Sequence, residues 1–351
     1  PFFIVSAFRY DLGTDYTRRY VFDYNRTLQG IDVPNLEILF KAIMKFCIIF
    51  TEEPYLMFAI TSAITVGFIL GTSFKKSQDK ILSVCIFLLG GFFFDSLNIM
   101  RQYMAMSLVF FGYQFLLKSK KWYLTYILTV IIATLIHSSA IIMLVLVFFT
   151  KKMLVSWKWV LPVCIIIVLL NENLMNILGL ILQNSRFGVY LTGKFAEGEF
   201  SYLFVAENLA IYLAMIYIYS KNKKLDNIQT QDILFLNIQA LALIVMILGV
   251  CHMLFIRTAL YFSISLPASS QELNPLSSSK TLYPFSLKMA AAFLLRFPLR
   301  QYTATDLSFC NKESAIEAKE SSITLMLIVF VICPSEYSAS VRTSRRCISS
   351  F

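Results

Sequence analysis

Three ionisable residues set on apolar segments carry most of the chemistry that this sequence could do: Arg101, His137 and Arg257. Arg101 follows FFFDSLNIM and opens RQYMAMSLVFFGYQFLL, with Gln102 beside it. A planar guanidinium with five donors suits phosphate oxygens. It equally suits a nearby carboxylate such as Asp95, or anchoring at a membrane interface with the head in water. His137 is one of the 2 histidines in the chain and is followed by Ser138 and Ser139. A neutral imidazole can serve as a general base, and when protonated as a phosphate donor; a buried histidine satisfied by those serines is the structural alternative. Arg257 lies in HMLFIRTALYF, with Tyr261 one turn later on the same helical face. Clamp and anchor are again both open.

A second cluster is FRYDLGTDYTRRYVFDY, residues 8–24. Arg9 opens it, Asp11 and Asp15 are four apart, Tyr16 and Tyr20 likewise, and Gly13 breaks any helix before them. Aromatic faces with interleaved carboxylates fit the binding of a sugar, whose rings stack and whose hydroxyls donate. The same composition also fits a solvated loop. The chain has no Walker motif, no HExxH, no GxSxG and no GxGxxG opening a helix, which leaves soluble nucleotide-binding and hydrolase chemistries without support.

The elements that must position these residues are membrane spans. The chain has 351 residues, 58% of them hydrophobic and 15% charged. A soluble globule is nearer a quarter charged, because charged side chains must cover its surface. Lipid needs no such cover. A span takes about 20 mainly apolar residues, and runs of that kind occupy 54–71, 81–94, 102–117, 122–149, 159–170, 203–219 and 233–251. The stretch 36–50, with Lys41 and Lys45 four apart, fits an interfacial amphipathic helix. The fold class expected is therefore all-α, a polytopic transmembrane helical bundle of about 8 to 10 membrane segments.

The net charge of +10 would suit a nucleic-acid binder, but the lysines fall in short clusters between apolar runs, at 75–80, 118–121, 151–158 and 221–224. By the positive-inside rule all four are cytoplasmic. Consecutive cytoplasmic loops need an even number of crossings between them. The stretch 122–149 is too short for two full spans, so on this map it is a tight hairpin folding near Leu135–Ser139; the competing topology is a single long tilted helix, which would put the flanking lysine clusters on opposite sides. His137 then sits at its outer tip. Residues 9–53, Asp95–Arg101, the loop 171–202 and the segment from His252 to Tyr261 gather on the same outer face. The 7 cysteines lack CxxC spacing, and neither a disulfide framework nor a metal site is indicated.

The ends differ from the middle. PFFIVSAF reads as the last turns of a span whose beginning is missing, and after residue 262 serine becomes several times more frequent while the apolar runs become too short to span. Two regions are expected: 1–262, a multi-span domain, and 263–351, an atypical Ser-rich region that is frame-shifted or disordered.

As a whole the pattern resembles the EpsG-type family of bacterial polysaccharide polymerases, functional relatives of the Wzy polymerases of O-antigen and capsule. The resemblance rests on FRYDLGTDYTRRYVF, EEPYLMF, NIMRQYMAMSLVFFGYQFLLKSKKWYLTYILTVIIATLIHSSAIIMLVLVFF and RTALYF, in that order. It implies a membrane glycosyltransferase on the outer face of the bacterial cytoplasmic membrane. Its substrates would be oligosaccharide repeat units on undecaprenyl diphosphate, joined into capsule, exopolysaccharide or O-antigen chains. No cofactor and no metal is implied; a flippase and a chain-length regulator of the same pathway are implied partners, and nucleic acid is not. In this picture Arg101, His137 and Asp15 are catalytic, while Arg9, Asp11, Tyr16, Tyr20, Gln102, Arg257 and Tyr261 bind substrate. The altered C-terminal end could leave the chain inactive as written. The alternative is a transporter or flippase for lipid-linked saccharides, although the charges lie at span ends and not at mid-membrane in repeated halves.

Overall fold

The structure, a computed structural model, describes residues 1–13, 15–77, 80–118, 120–149, 157–182, 202–224, 230–251 and 253–265. All belong to one compact unit, Pro1–Phe297. Most of the Ser-rich region, the greater part of the loop expected at 171–202, and His252 lie outside the described residues. No strand occurs among those described.

Most helices follow the apolar runs, but Asn171–Leu182 is helical where the sequence suggested a polar loop. In chain order they are α1 (Phe2–Ala7), a π-helical turn (Tyr16–Val21), α2 (Phe22–Leu28), α3 (Ile38–Ile48), α4 (Tyr55–Lys76), α5 (Lys80–Leu89), α6 (Phe92–Asn98) and α7 (Met100–Leu116). There follow α8 (Tyr123–Ile136), a 3-10 helix (Ser138–Phe148), α9 (Trp157–Leu169), α10 (Asn171–Leu182), α11 (Tyr202–Lys224), α12 (Thr230–Cys251) and α13 (Met253–Ser263). Among the described residues two helices are long and apolar enough to cross a membrane by length and composition, Tyr55–Lys76 and, within α12, Asp232–Gly249. Many large apolar side chains of α8 and α9 face outward, among them Leu124, Leu128, Ile132, Ile165 and Val168. Such a surface is costly in water and costs nothing in lipid.

Helix α7 is the centre. Met104, Ala105, Met106, Val109, Phe110, Tyr113 and Leu116 are all buried, so it is enclosed on more than one face. It runs alongside α4 in the same direction: Thr61 donates to Met100 Sδ at 3.0 Å near one end, and Phe68 packs on Phe111 further along. The run 81–94, expected as one span, is two helices. Gly91 takes a left-handed φ of 76° between α5 and α6, a conformation open to glycine at little cost.

The stretch 122–149 doubles back on itself. Tyr126 OH donates to the Met143 carbonyl at 2.7 Å, which is possible only if α8 and the 3-10 helix lie antiparallel. His137, with φ −152° and ψ 115°, is the extended residue at the turn. The two arms have 14 and 11 residues. At about 1.5 Å per residue in an α-helix and about 2.0 Å in a 3-10 helix, both measure about 21 to 22 Å. The tighter winding thus lets the shorter arm match the longer one.

Candidate functional site

Two helix ends and one hairpin turn bring the decisive side chains together. Helix α6 ends at Asn98, Ile99 leaves helical geometry with ψ 53°, and α7 starts afresh at Met100. This break turns Arg101 away from Asp95, the carboxylate nearest to it in sequence. Tyr103 OH reaches Asp95 Oδ2 instead, at 3.3 Å. Arg101 pairs with Glu37, the residue that precedes α3: Nη1 lies 3.0 Å from Glu37 Oε2, with the two side chains 13% and 9% exposed. The other oxygen of the same carboxylate faces the hairpin turn. His137 Nδ1 is 3.4 Å from Glu37 Oε1, and the Ser138 amide donates to that oxygen at 3.3 Å. The His137 contact is of ion-pair range and lacks the alignment of a good hydrogen bond.

Glu37 is therefore shared between a cation fixed on α7 and an imidazole fixed on the hairpin. Burial alone would raise its pKa; the contacts with His137, Arg101 and the Ser138 amide outweigh burial and hold it at about 2. It is an anion at any physiological pH. For His137, burial pushes the pKa below its ordinary value of 6.5, Glu37 opposes this, and Arg101 and Arg257 add to it. The imidazole is thus neutral near pH 7. With Nδ1 turned to a carboxylate, the proton belongs on Nδ1 and the Nε2 lone pair is left for chemistry. The side chain is 25% exposed, so it is not sealed off.

Helix α13 closes a third side. Gln102 Nε2 donates to the Arg257 carbonyl at 2.6 Å, Tyr113 OH to the Tyr261 carbonyl at 3.2 Å, and Ser139 Oγ to Tyr261 OH at 3.1 Å. Gln102 and Tyr261 thereby hold helices together. The Arg257 side chain stays exposed, close enough to His137 to act on its charge.

The cluster of residues 8–24 adjoins this site but is built differently from the open polar loop that its composition suggested. Residues 16–28 are helical, and Tyr16, Tyr20 and Tyr24 are buried. Tyr16 stacks on Phe58 at 4.8 Å, while Tyr20 OH donates to the Asn98 carbonyl at 2.9 Å. Asp15 is tied through its amide to Asn98 Oδ1 at 3.1 Å, and its charge acts on Tyr20. Asp11 is at the surface, accepting from Thr17 Oγ1 at 2.6 Å. Arg9 is 4% exposed, with its guanidinium 4.6 Å from the Phe58 ring centroid and Nη2 3.2 Å from Met100 Sδ. Burial lowers its pKa to about 10. Among the described residues no group of three or more His, Cys, Asp or Glu could hold a metal ion.

The model of the EpsG family matches residues 1–303, a span that contains every residue of this site. The chain belongs to the EpsG family. No curated protein and no solved structure matches it. Membership in the EpsG family ties the chain to exopolysaccharide biosynthesis, and together with the apolar helices it marks a membrane protein.

Glu37 was not among the residues that the sequence singled out, nor was Asn98. Both are single polar residues at the edges of apolar runs, LEILF and SLNIM. Their partners lie 64 and 83 residues away along the chain, Arg101 for Glu37 and Asp15 for Asn98. The one available signal for Glu37 was an acid at the start of a helix whose other charges are lysines.

Proposed function

We propose that this chain is a membrane glycosyltransferase that polymerises oligosaccharide repeat units carried on undecaprenyl diphosphate, working at the extracytoplasmic face of the bacterial cytoplasmic membrane. The observation that carries the reading is the convergence of Arg101 and His137, from different helices, on one buried carboxylate. A neutral base beside two guanidiniums is what sugar transfer from a diphosphate requires. The acceptor hydroxyl passes its proton to His137 Nε2 while its oxygen bonds to the anomeric carbon of the donor. The bond from that carbon to the diphosphate oxygen breaks, and its electron pair leaves on the lipid diphosphate. Arg101 and the exposed Arg257 offset that growing charge, a kind of contribution worth about 3 kcal/mol per donor in other enzymes. Of the two bases that the sequence offered, His137 is the better supported, because it meets the same buried carboxylate as Arg101. The proposed partners are the lipid-linked repeat unit, the bilayer itself, and the flippase and chain-length regulator of the same pathway.

Purified protein supplied with lipid-linked repeat units in detergent should lengthen chains. A flippase or transporter has no means to do so without two compartments. His137→Gln should slow elongation by about 10²-fold or more, and Arg101→Ala should abolish long polymer while the protein remains in the membrane. Polymer of unchanged length from both variants would sink the assignment.

A further inference from the structure

Glu37 contacts both Arg101 and His137, the two groups to which the proposed reaction gives the diphosphate and the proton. Resting on the reading above, we infer that Glu37 is a positioning residue that couples donor binding to base strength: the diphosphate draws Arg101 away from Glu37, and the released carboxylate then acts undivided on His137.

Arg101 spends Nη1 on Glu37 Oε2, and this carboxylate is the partner of that guanidinium among the described residues. A dianionic diphosphate competes for the same fork, which forms paired bonds with phosphate as readily as with a carboxylate. His137 meets charge from three directions: Glu37 before α3, Arg101 on α7 and Arg257 on α13. Tyr261, also on α13, is held through Ser139 Oγ. Of these only Glu37 favours the imidazolium. When both arginines turn to the diphosphate, the two groups that oppose protonation are neutralised together and the one that favours it is freed. His137 therefore becomes a better proton acceptor when a donor is in place, and a poorer one when the site is empty. An empty site then has little power to activate water or a stray hydroxyl. The proton taken by Nε2 is balanced at that moment by the Glu37 carboxylate on the Nδ1 side of the ring, so the ring carries its charge beside an anion in a poorly solvated place.

The test is a histidine titration followed by nuclear magnetic resonance on the full chain in lipid nanodiscs, with inorganic pyrophosphate as the probe and phosphorus line-broadening as the measure of binding. The two histidines are told apart by a His252→Gln variant. In the wild type, saturating pyrophosphate should raise the His137 midpoint by about one pH unit, the size expected when an opposite charge within ion-pair distance gains full effect. In Glu37→Gln the midpoint should start lower, and pyrophosphate should move it by less than half as much. Two results overturn the coupling and leave the polymerase reading standing: pyrophosphate that binds without raising the His137 midpoint, or an equal rise in Glu37→Gln. Pyrophosphate that does not bind the wild type at all overturns both, since the donor site itself would be missing. Glu37→Asp, which keeps the charge, should restore part of the response. A purely structural role for the residue would give no such recovery.

Discussion

At the scale of single residues the site is governed by one carboxylate, and the sign of its pH dependence can be worked out. Glu37 has its pKa lowered from 4.5 to about 2 in the folded chain. A group with a depressed folded value stabilises fully above its unfolded value, and this stabilisation is lost as pH falls from about 4.5 towards 2. At about 1.4 kcal/mol per pH unit the loss comes to roughly 3 kcal/mol. His137 is lowered as well, so protonating it below its ordinary 6.5 also works against the fold, and the two effects add. Protein in detergent should thus melt at progressively lower temperature between pH 6.5 and pH 3. Glu37→Ala should lower stability near neutrality by roughly 3 kcal/mol, because Arg101 is left buried without its counter-charge, and should flatten the acid slope. A variant with the wild-type acid slope would show that other groups set it. The sequence revealed Arg101 and His137 because an ionisable residue in an apolar run is conspicuous. It did not reveal Glu37, because an acid followed by a short apolar run looks like ordinary helix-start chemistry. Its two partners become visible only once α6 is known to break at Ile99 and the hairpin to turn at His137.

At the scale of elements, the hairpin of α8 and the 3-10 helix is what carries His137 to Glu37, and its seat on α7 is tight. A methyl group added at Gly112 would lie 3.2 Å from both Thr129 Cγ2 and Tyr126 Cδ2. Tyr126 is fully buried and committed to the Met143 carbonyl, so it has little room to give way. Gly112→Ala adds helix propensity of about 1 kcal/mol, which offsets a contact that is only a few tenths of an ångström too short. Gly112→Val has no such compensation: overpacking costs about 1 to 3 kcal/mol, and the hairpin must move off α7, taking His137 with it. The alanine variant should polymerise nearly as the wild type does, whereas the valine variant should lose elongation while still inserting into membranes. Equal activity in both would mean that the α7–α8 contact does not position the histidine. That the stretch folds back was legible from the parity of the lysine clusters. The kind of helix in each arm was not, because the break at His137 has neither glycine nor proline to mark it and both arms are uniformly apolar. The π-helical turn at Tyr16–Val21 was missed for the converse reason, since the polar spacing there hid three tyrosines that pack inward.

At the scale of the whole molecule, the arrangement of α7 relates the site to the membrane. Helix α7 has 17 residues, about 26 Å at ~1.5 Å per residue, close to the ~30 Å of a hydrocarbon core. Arg101 stands at its first turn, and Lys118, Lys120 and Lys121 follow its last. Helix α4 runs parallel to it and ends in Lys75 and Lys76. Helix α8 returns from Trp122, which stacks with Phe115 and holds Lys118 at 4.2 Å over its ring, up to His137. The lysines therefore mark one end of this helix group and the Arg101–Glu37–His137 site the other. If lysines stay on the cytoplasmic side, as they do in most membrane proteins, the site opens on the opposite side, where lipid-linked repeat units would have to be joined. Single cysteines placed in a background without the 7 native ones would decide the point. Asp11→Cys, exposed near the site, should react with a membrane-impermeant maleimide in intact spheroplasts; Lys121→Cys, exposed at the lysine end, should react only after lysis. The reverse pattern would put the diphosphate site in the cytoplasm, and polymerisation at the outer face would have to be abandoned even if purified protein lengthened chains.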